Sequence, residues 1–248
     1  MRSPCCDRRA STHAAPYRKR VAETLPLFPL GTVLMPGALL PLHIFEPRYR
    51  QLTDDLITGT VPDKEFGVIA VREGWAPDDD GIAGLHGVGC TAELRDVRRL
   101  PDGRFDIVTR GARRFRLLDL DAESKPYLIG SVEFLPDAEA DAGPDQATMT
   151  RMLSAAARDA HRRYCAAAWK TDDWSEPEAD LEPGTLPHVL AADCLLPIGD
   201  RQSLLEQTSP TERLRMVRSL LTRETGLLTQ LRAVPAPITT FAVEHSSN

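Results

Sequence analysis

Residues 25–49 read LPLFPLGTVLMPGALLPLHIFEPRY, and the fold is decided here. Two short apolar runs, 25–30 and 39–45, have the length and bounding residues of strands. Pro26 and Pro29 cannot donate to a ladder, so the first run is expected at a sheet edge. Glu46-Pro47-Arg48-Tyr49 then opens a helix, with Pro47 in the first turn, where a missing N–H costs nothing. Phe45, Tyr49, Leu52 and Leu56 recur at helical spacing and should face inward. Gly59 is the stop signal.

Outward from this stretch the first half continues as β-structure. Residues 66–71 form an apolar strand, and 75–84 a loop with the acidic tip Asp78-Asp79-Asp80-Gly81. Residues 88–100 and 104–120 pair as a hairpin around Leu100-Pro101-Asp102-Gly103, a turn-favouring tetrapeptide. Phe105 and Ile107 alternate with Arg104 and Asp106, as in a half-buried strand. Gly111 marks a bulge that re-registers the strand, so that Phe115 and Leu117 point inward. Residues 127–135 close the β region, giving a β-rich unit over 24–136.

An acidic linker, 137–146, leads to a helical unit over 147–233. Met149, Met152, Leu153, Ala156, Ala160 and Tyr164 share one helical face. Residues 171–184 carry six carboxylates and no basic side chain, which predicts a solvated, mobile loop. A short helix over 187–196 should end at Pro197 and Gly199. Ser209-Pro210-Thr211-Glu212 is a capping box for the last helix, whose stripe is Leu214, Val217, Leu221, Leu228 and Leu231. Residues 1–23 read as a disordered tail or a start assigned too far upstream, with translation beginning near Val21. Residues 234–248 read as a loose tail.

Composition narrows the function. A net charge of −6 over 248 residues argues against a nucleic-acid binder. No apolar run is long enough for a membrane helix. The five cysteines make no CxxC pair and suit reduced thiols in a cytoplasm, with Cys90, Cys165 and Cys194 as small buried hydrophobes. No lysine follows a glycine, so a Walker A loop is absent, as are GxSxG and HExxH motifs. The acidic tip fails as a calcium loop: in the frame set by Gly81 the end ligands would be Ala76 and Gly87. These observations predict no cofactor, no metal and no catalytic residue.

Residues 25–49 resemble the opening of the Lon protease N-terminal domain, in which P-L-F-P-L-G leads to a second strand. Leu100-Pro101-Asp102-Gly103, Gly111-Ala112-Arg113-Arg114-Phe115, Leu204-Leu205-Glu206 and Glu212-Arg213-Leu214 resemble later elements of the same family. The resemblance runs from about residue 25 to 231. It implies an α+β fold, a PUA-like six-stranded pseudo-barrel followed by a small helical bundle. It also implies a free-standing, non-enzymatic member without ATPase or peptidase, binding unfolded or degron-bearing polypeptides in a groove between barrel and bundle. Met35, His43, Phe45, Glu46, Arg48, Tyr49 and Arg114 are the candidate contacts.

Each candidate has a structural alternative. Met35, Phe45 and Tyr49 are equally explicable as core. His43 and Glu46 lie close enough for an acid–base pair, but Glu46 can instead meet the free amides of the helix start. Arg114 can pair with a carboxylate across the sheet. An adaptor docking on a separate ATP-dependent protease, and a small-molecule-binding PUA-like protein, are the other functional readings.

Overall fold

The computed structural model describes residues 22–72, 81–138, 144–169 and 174–231. Six strands, β1 (Glu23–Leu30), β2 (Leu39–Ile44), β3 (Glu65–Ala70), β4 (Val88–Arg99), β5 (Phe105–Asp121) and β6 (Ile129–Phe134), form one sheet. Its order is β2-β5-β4-β3-β1-β6, and β5 also pairs with β6, which curls the sheet shut. Between β2 and β3 lies α1 (Pro47–Thr58). After β6 come α2 (Pro144–Ala168), α3 (Leu186–Ala192), α4 (Ile198–Glu206) and α5 (Pro210–Leu231). The expected α+β architecture of six strands and a helical bundle is therefore present.

The long strand β5 makes closure possible. Its first part pairs with β2 and its last part with β6, while β4 runs along its other side. The switch occurs at a bulge: Ala92 faces Gly111 but Cys90 faces Arg114, one residue out of step. A side chain at Gly111 would run into the Met35 carbonyl oxygen, so only glycine fits this crossing. Beyond it Phe115 and Leu117 turn inward as expected, packing with Leu27, Ile69 and Val132 inside the barrel.

β1 corrects the sequence reading. It is an interior strand, because residues 23–26 pair with β6 and residues 27–30 pair with β3. Each half thus has a ladder partner over a different stretch. That division is why Pro26 and Pro29 are tolerated, since neither half is laddered along its full length on both sides. The edge strand is β2, which among the described residues pairs with β5 only.

Helix α1 begins at Pro47 and stops at Gly59, whose φ of 80° is left-handed. Tyr49, Leu52 and Leu56 are buried as expected, but Phe45 is 60% exposed. Glu46 is still extended (φ −68°, ψ 136°), so helical spacing does not reach back to Phe45. With Ile44 turned inward, Phe45 turns out.

In the bundle, α2 packs on α5 through Leu153, Ala157, Ala160 and Tyr164, with His161 beside them. Met149 and Met152 are exposed, contrary to the predicted stripe. The buried face is centred nearer Leu153 and Tyr164, and Met152 lies about 120° round the helix from it. The helix expected over 187–196 stops at Ala192; Pro197 holds Leu196 out of helical backbone and itself precedes α4.

Ser209 caps α5 through its hydroxyl to the Glu212 N–H (3.4 Å). The reciprocal half of the predicted capping box is replaced, because the Ser209 N–H goes to Gln207 Oε1 (2.9 Å). Residues 174–184 are docked rather than free. The Arg158 guanidinium donates to the Pro177 carbonyl (2.7 Å), Trp174 meets the His161 ring edge-on, and Leu181 packs on the core. The acidic tip Asp78-Asp79-Asp80, half of the linker (139–143) and residues 1–21 and 232–248 lie outside the described residues, while Glu23, expected in the tail, already belongs to β1.

Candidate functional site

The seven candidate residues do not meet in one place. Met35 is fully buried. Tyr49 is buried with its ring stacked on Phe28 (centroids 3.9 Å), and burial pushes its phenol up to about 12. Both belong to the core. Arg114 is buried at the junction of barrel and bundle. His43, Phe45, Glu46 and Arg48 remain together at the corner where β2 runs into α1.

At that corner His43 and Glu46 have separate partners. His43 Nδ1 lies 2.7 Å from Asp106 Oδ1, and Arg104 Nη1 lies 3.2 Å from His43 Nε2. Arginine can only donate, so Nε2 accepts and Nδ1–H donates to Asp106. Arg98 holds the second oxygen of Asp106, and these contacts keep its carboxyl below the usual range, Arg98 first and His43 second. Both imidazole nitrogens are thus engaged away from Glu46. The Glu46 carboxylate pairs with Arg48 (2.9 Å) rather than with the helix amides; its backbone carbonyl receives the Arg50 N–H instead.

The outer row of β2 is the apolar feature of this corner. Leu40, Leu42 and Ile44 turn toward the core, while Leu39, Pro41, His43 and then Phe45 turn to solvent. Leu39 is 67% exposed, and the Phe45 ring stacks with His43 at 6.3 Å. The Ala38 carbonyl receives the Gly111 N–H and the Leu40 carbonyl the Thr109 hydroxyl, so even-numbered residues direct their main chain at β5. By the antiparallel alternation, residues 39, 41 and 43 direct theirs outward. Pro41 occupies one of these outward positions, where no β5 hydrogen bond is lost.

The second feature is a cleft of about 710 Å³ between barrel and bundle. Asp137 sits in it between two guanidiniums, Arg114 from β5 (2.6 Å) and Arg213 from α5 (2.6 and 2.7 Å). Arg114 also donates to the Leu205 and Gln207 carbonyls at the C-terminal end of α4, and Arg213 to Gln207 and Gly184. Burial, and then the neighbouring Arg213 charge, lower the Arg114 pKa. The partner of Arg114 is therefore the first acid after β6, not a carboxylate across the sheet. Asp137, expected as the start of a linker, is instead fixed between β5 and α5.

A cysteine–histidine contact also occurs in the bundle, with Cys165 Sγ 3.6 Å from His161 Nε2. Burial pushes the thiol up to about 11 and the imidazole down, which favours the neutral pair over a nucleophilic thiolate. Cys90, Cys165 and Cys194 are all buried. Among the described residues, no three His, Cys, Asp or Glu side chains are grouped to hold a metal, and no helix is long and apolar enough to cross a membrane.

The sequence reading missed Leu39, Asp137, His188 and Arg213. The alternation of Leu39 with Leu40 was a usable signal. The other three come together only through tertiary contacts.

Comparison with known proteins agrees with the fold. Residues 24–223 match the family model of the ATP-dependent protease La (LON) substrate-binding domain. A Lon protease of Anaeromyxobacter dehalogenans is 29% identical over 216 residues, covering 85% of this chain and 24% of the relative. Lon protease 2 of Myxococcus xanthus is 28% identical over 216 residues, with 85% and 25% covered. The chain thus spans about a quarter of the length of these relatives. Two solved structures share the fold. A Lon N-terminal domain protein from Xanthomonas campestris has a TM-score of 0.54 at 24% identity, with 86% of this chain and 99% of that one covered. The N-terminal domain of a Mycobacterium avium complex Lon protease has a TM-score of 0.58 at 21% identity, with 81% and 98% covered.

Proposed function

The chain belongs to the ATP-dependent protease La (LON) substrate-binding domain family, and from that premise we propose that it recognises extended, apolar polypeptide segments without acting on them chemically. The observation that carries this reading is the outer row of β2. Leu39 and Phe45 are 67% and 60% exposed, on a strand whose outward main-chain groups have no strand partner among the described residues.

An apolar row beside free main-chain donors and acceptors suits an unfolded chain. The row supplies contact area, while the edge supplies hydrogen bonds independent of the client sequence. Pro41 removes the central outward donor, which limits strand addition to a short segment and keeps affinity modest. The cation-and-carboxylate lattice of His43, Asp106, Arg98 and Arg104 borders the row with polar groups.

The test is a titration of the full chain against a fluorescently labelled, permanently unfolded protein, read by anisotropy. The folded form is the control, and gels monitor cleavage. Saturable binding of the unfolded form alone, without cleavage, and about tenfold weaker in a Leu39→Ser/Phe45→Ser variant, is the expected result. Absence of binding at high micromolar concentration would sink this reading.

A further inference from the structure

The cleft between barrel and bundle holds more positive than negative charge. Arg114 and Arg213 are both buried, and Asp137 is the one carboxylate they share. The first turn of α5, at Pro210 and Thr211, lines the same cleft. The N-terminus of such a helix contributes about half a positive charge. His188 lines it as well; it is 2% exposed, and its Nδ1 has no hydrogen-bond partner. Burial and the two nearby arginines hold its pKa well below the ordinary histidine value, so it is a neutral imidazole. The other acid of the lining, Glu182, is exposed. An excess of buried positive charge and an orphaned imidazole are costly unless an anion completes them. Phe134, Leu135 and Pro183 add apolar walls beside the charged groups.

We propose that this cleft is an anion subsite for the free C-terminal carboxylate of a polypeptide whose last side chain is apolar. The proposal rests on the polypeptide-binding reading and names the end of the client that is held. A terminal residue carries its carboxylate and its side chain on one carbon, which matches cationic groups and apolar walls lying side by side. The α5 first turn and the arginine pair attract the carboxylate, His188 offers a hydrogen bond, and the terminal side chain lies against Phe134 and Leu135.

The experiment uses the full chain and two labelled nonapeptides ending in leucine, identical except that one has a free carboxylate and the other an amide. A third peptide is amidated and carries an internal glutamate. The free acid is expected to bind about tenfold more tightly than either amide, the size of one charge-assisted contact. Thr150→Trp places an indole in the cleft from α2 and leaves Arg114, Asp137, His188 and Arg213 unsubstituted. It is expected to abolish that preference while leaving the unfolding temperature unchanged.

Equal binding of acid and amide overturns the proposal, as does a preference that survives Thr150→Trp in the folded variant. Tight binding of the internal-glutamate peptide overturns the C-terminal assignment. So does N-acetyl-leucine competing at the concentration of the peptide itself, which would make the cleft a small-molecule site. Any of these failures leaves the unfolded-protein titration intact, whereas failure of the polypeptide reading removes binding of acid and amide alike.

Discussion

The β2 corner and the barrel–bundle junction are both rich in arginine and aspartate, yet these charges do different work. At the corner, His43, Asp106, Arg98 and Arg104 form a lattice in contact with solvent. Such pairs gain little because water screens them and long side chains must be ordered. At the junction, Arg213 is fully buried and Arg114 nearly so, with one carboxylate and several backbone carbonyls around them. Losing Asp137 there strands two guanidiniums away from water. The corner can therefore vary without disturbing the fold, while the junction holds the fold together.

Substitutions can break or sharpen this contrast. The largest effect is expected from Asp137→Ala, a loss of about 3–5 kcal/mol in denaturant unfolding, since the buried Arg114 and Arg213 lose the one carboxylate they share. A loss below about 1 kcal/mol would place the junction with the corner. Tyr127→Phe comes next. The Tyr127 hydroxyl donates to Asp55 Oδ2 (2.6 Å) in a buried contact, so its removal should cost about 1–3 kcal/mol by the same assay.

Acid should also find the interior before the corner. His188 and His161 have folded pKa values lowered below 6.5, both chiefly by burial. Between the folded and unfolded values the unfolded chain binds more protons, so stability is complete above about 6.5 and falls as the pH drops below it. Calorimetry from pH 7 to 5 should show this slope, reduced in His188→Asn and unchanged in Phe45→Ser. The smallest effect on stability belongs to Phe45→Ser, within about 0.5 kcal/mol, because its ring is mostly in water already.

The same contrast explains what could be read from sequence. The hairpin turn at Gly103, the Gly111 bulge, Pro47 at the head of α1 and Ser209 at the head of α5 are local devices, and each was legible. β1 misled because its prolines signal an edge, whereas the strand changes partners halfway along. Phe45 misled because helical periodicity was extended across a residue that is still extended. Of the candidate contacts, the surface set of exposed His43 and Phe45 with half-buried Glu46 and Arg48 follows from the strand-to-helix boundary. Asp137, His188 and Arg213 meet only after barrel and bundle pack, and no spacing along the chain announces such a meeting.

The divided pairing of β1 also sets an order of events. Its lower half needs β6, with Glu23 opposite Val132, so the ladder joins segments more than a hundred residues apart. Its upper half pairs with β3, with Leu27 opposite Gly67, and reaches the far segment only through the Leu27 N–H to the Leu128 carbonyl (2.8 Å). During synthesis residues 27–30 can therefore find a partner early, while residues 23–26 wait for the strand that ends at Phe134. Closure of the barrel is then a late, non-local step, and its rate should be limited by that long search rather than by the helices that follow.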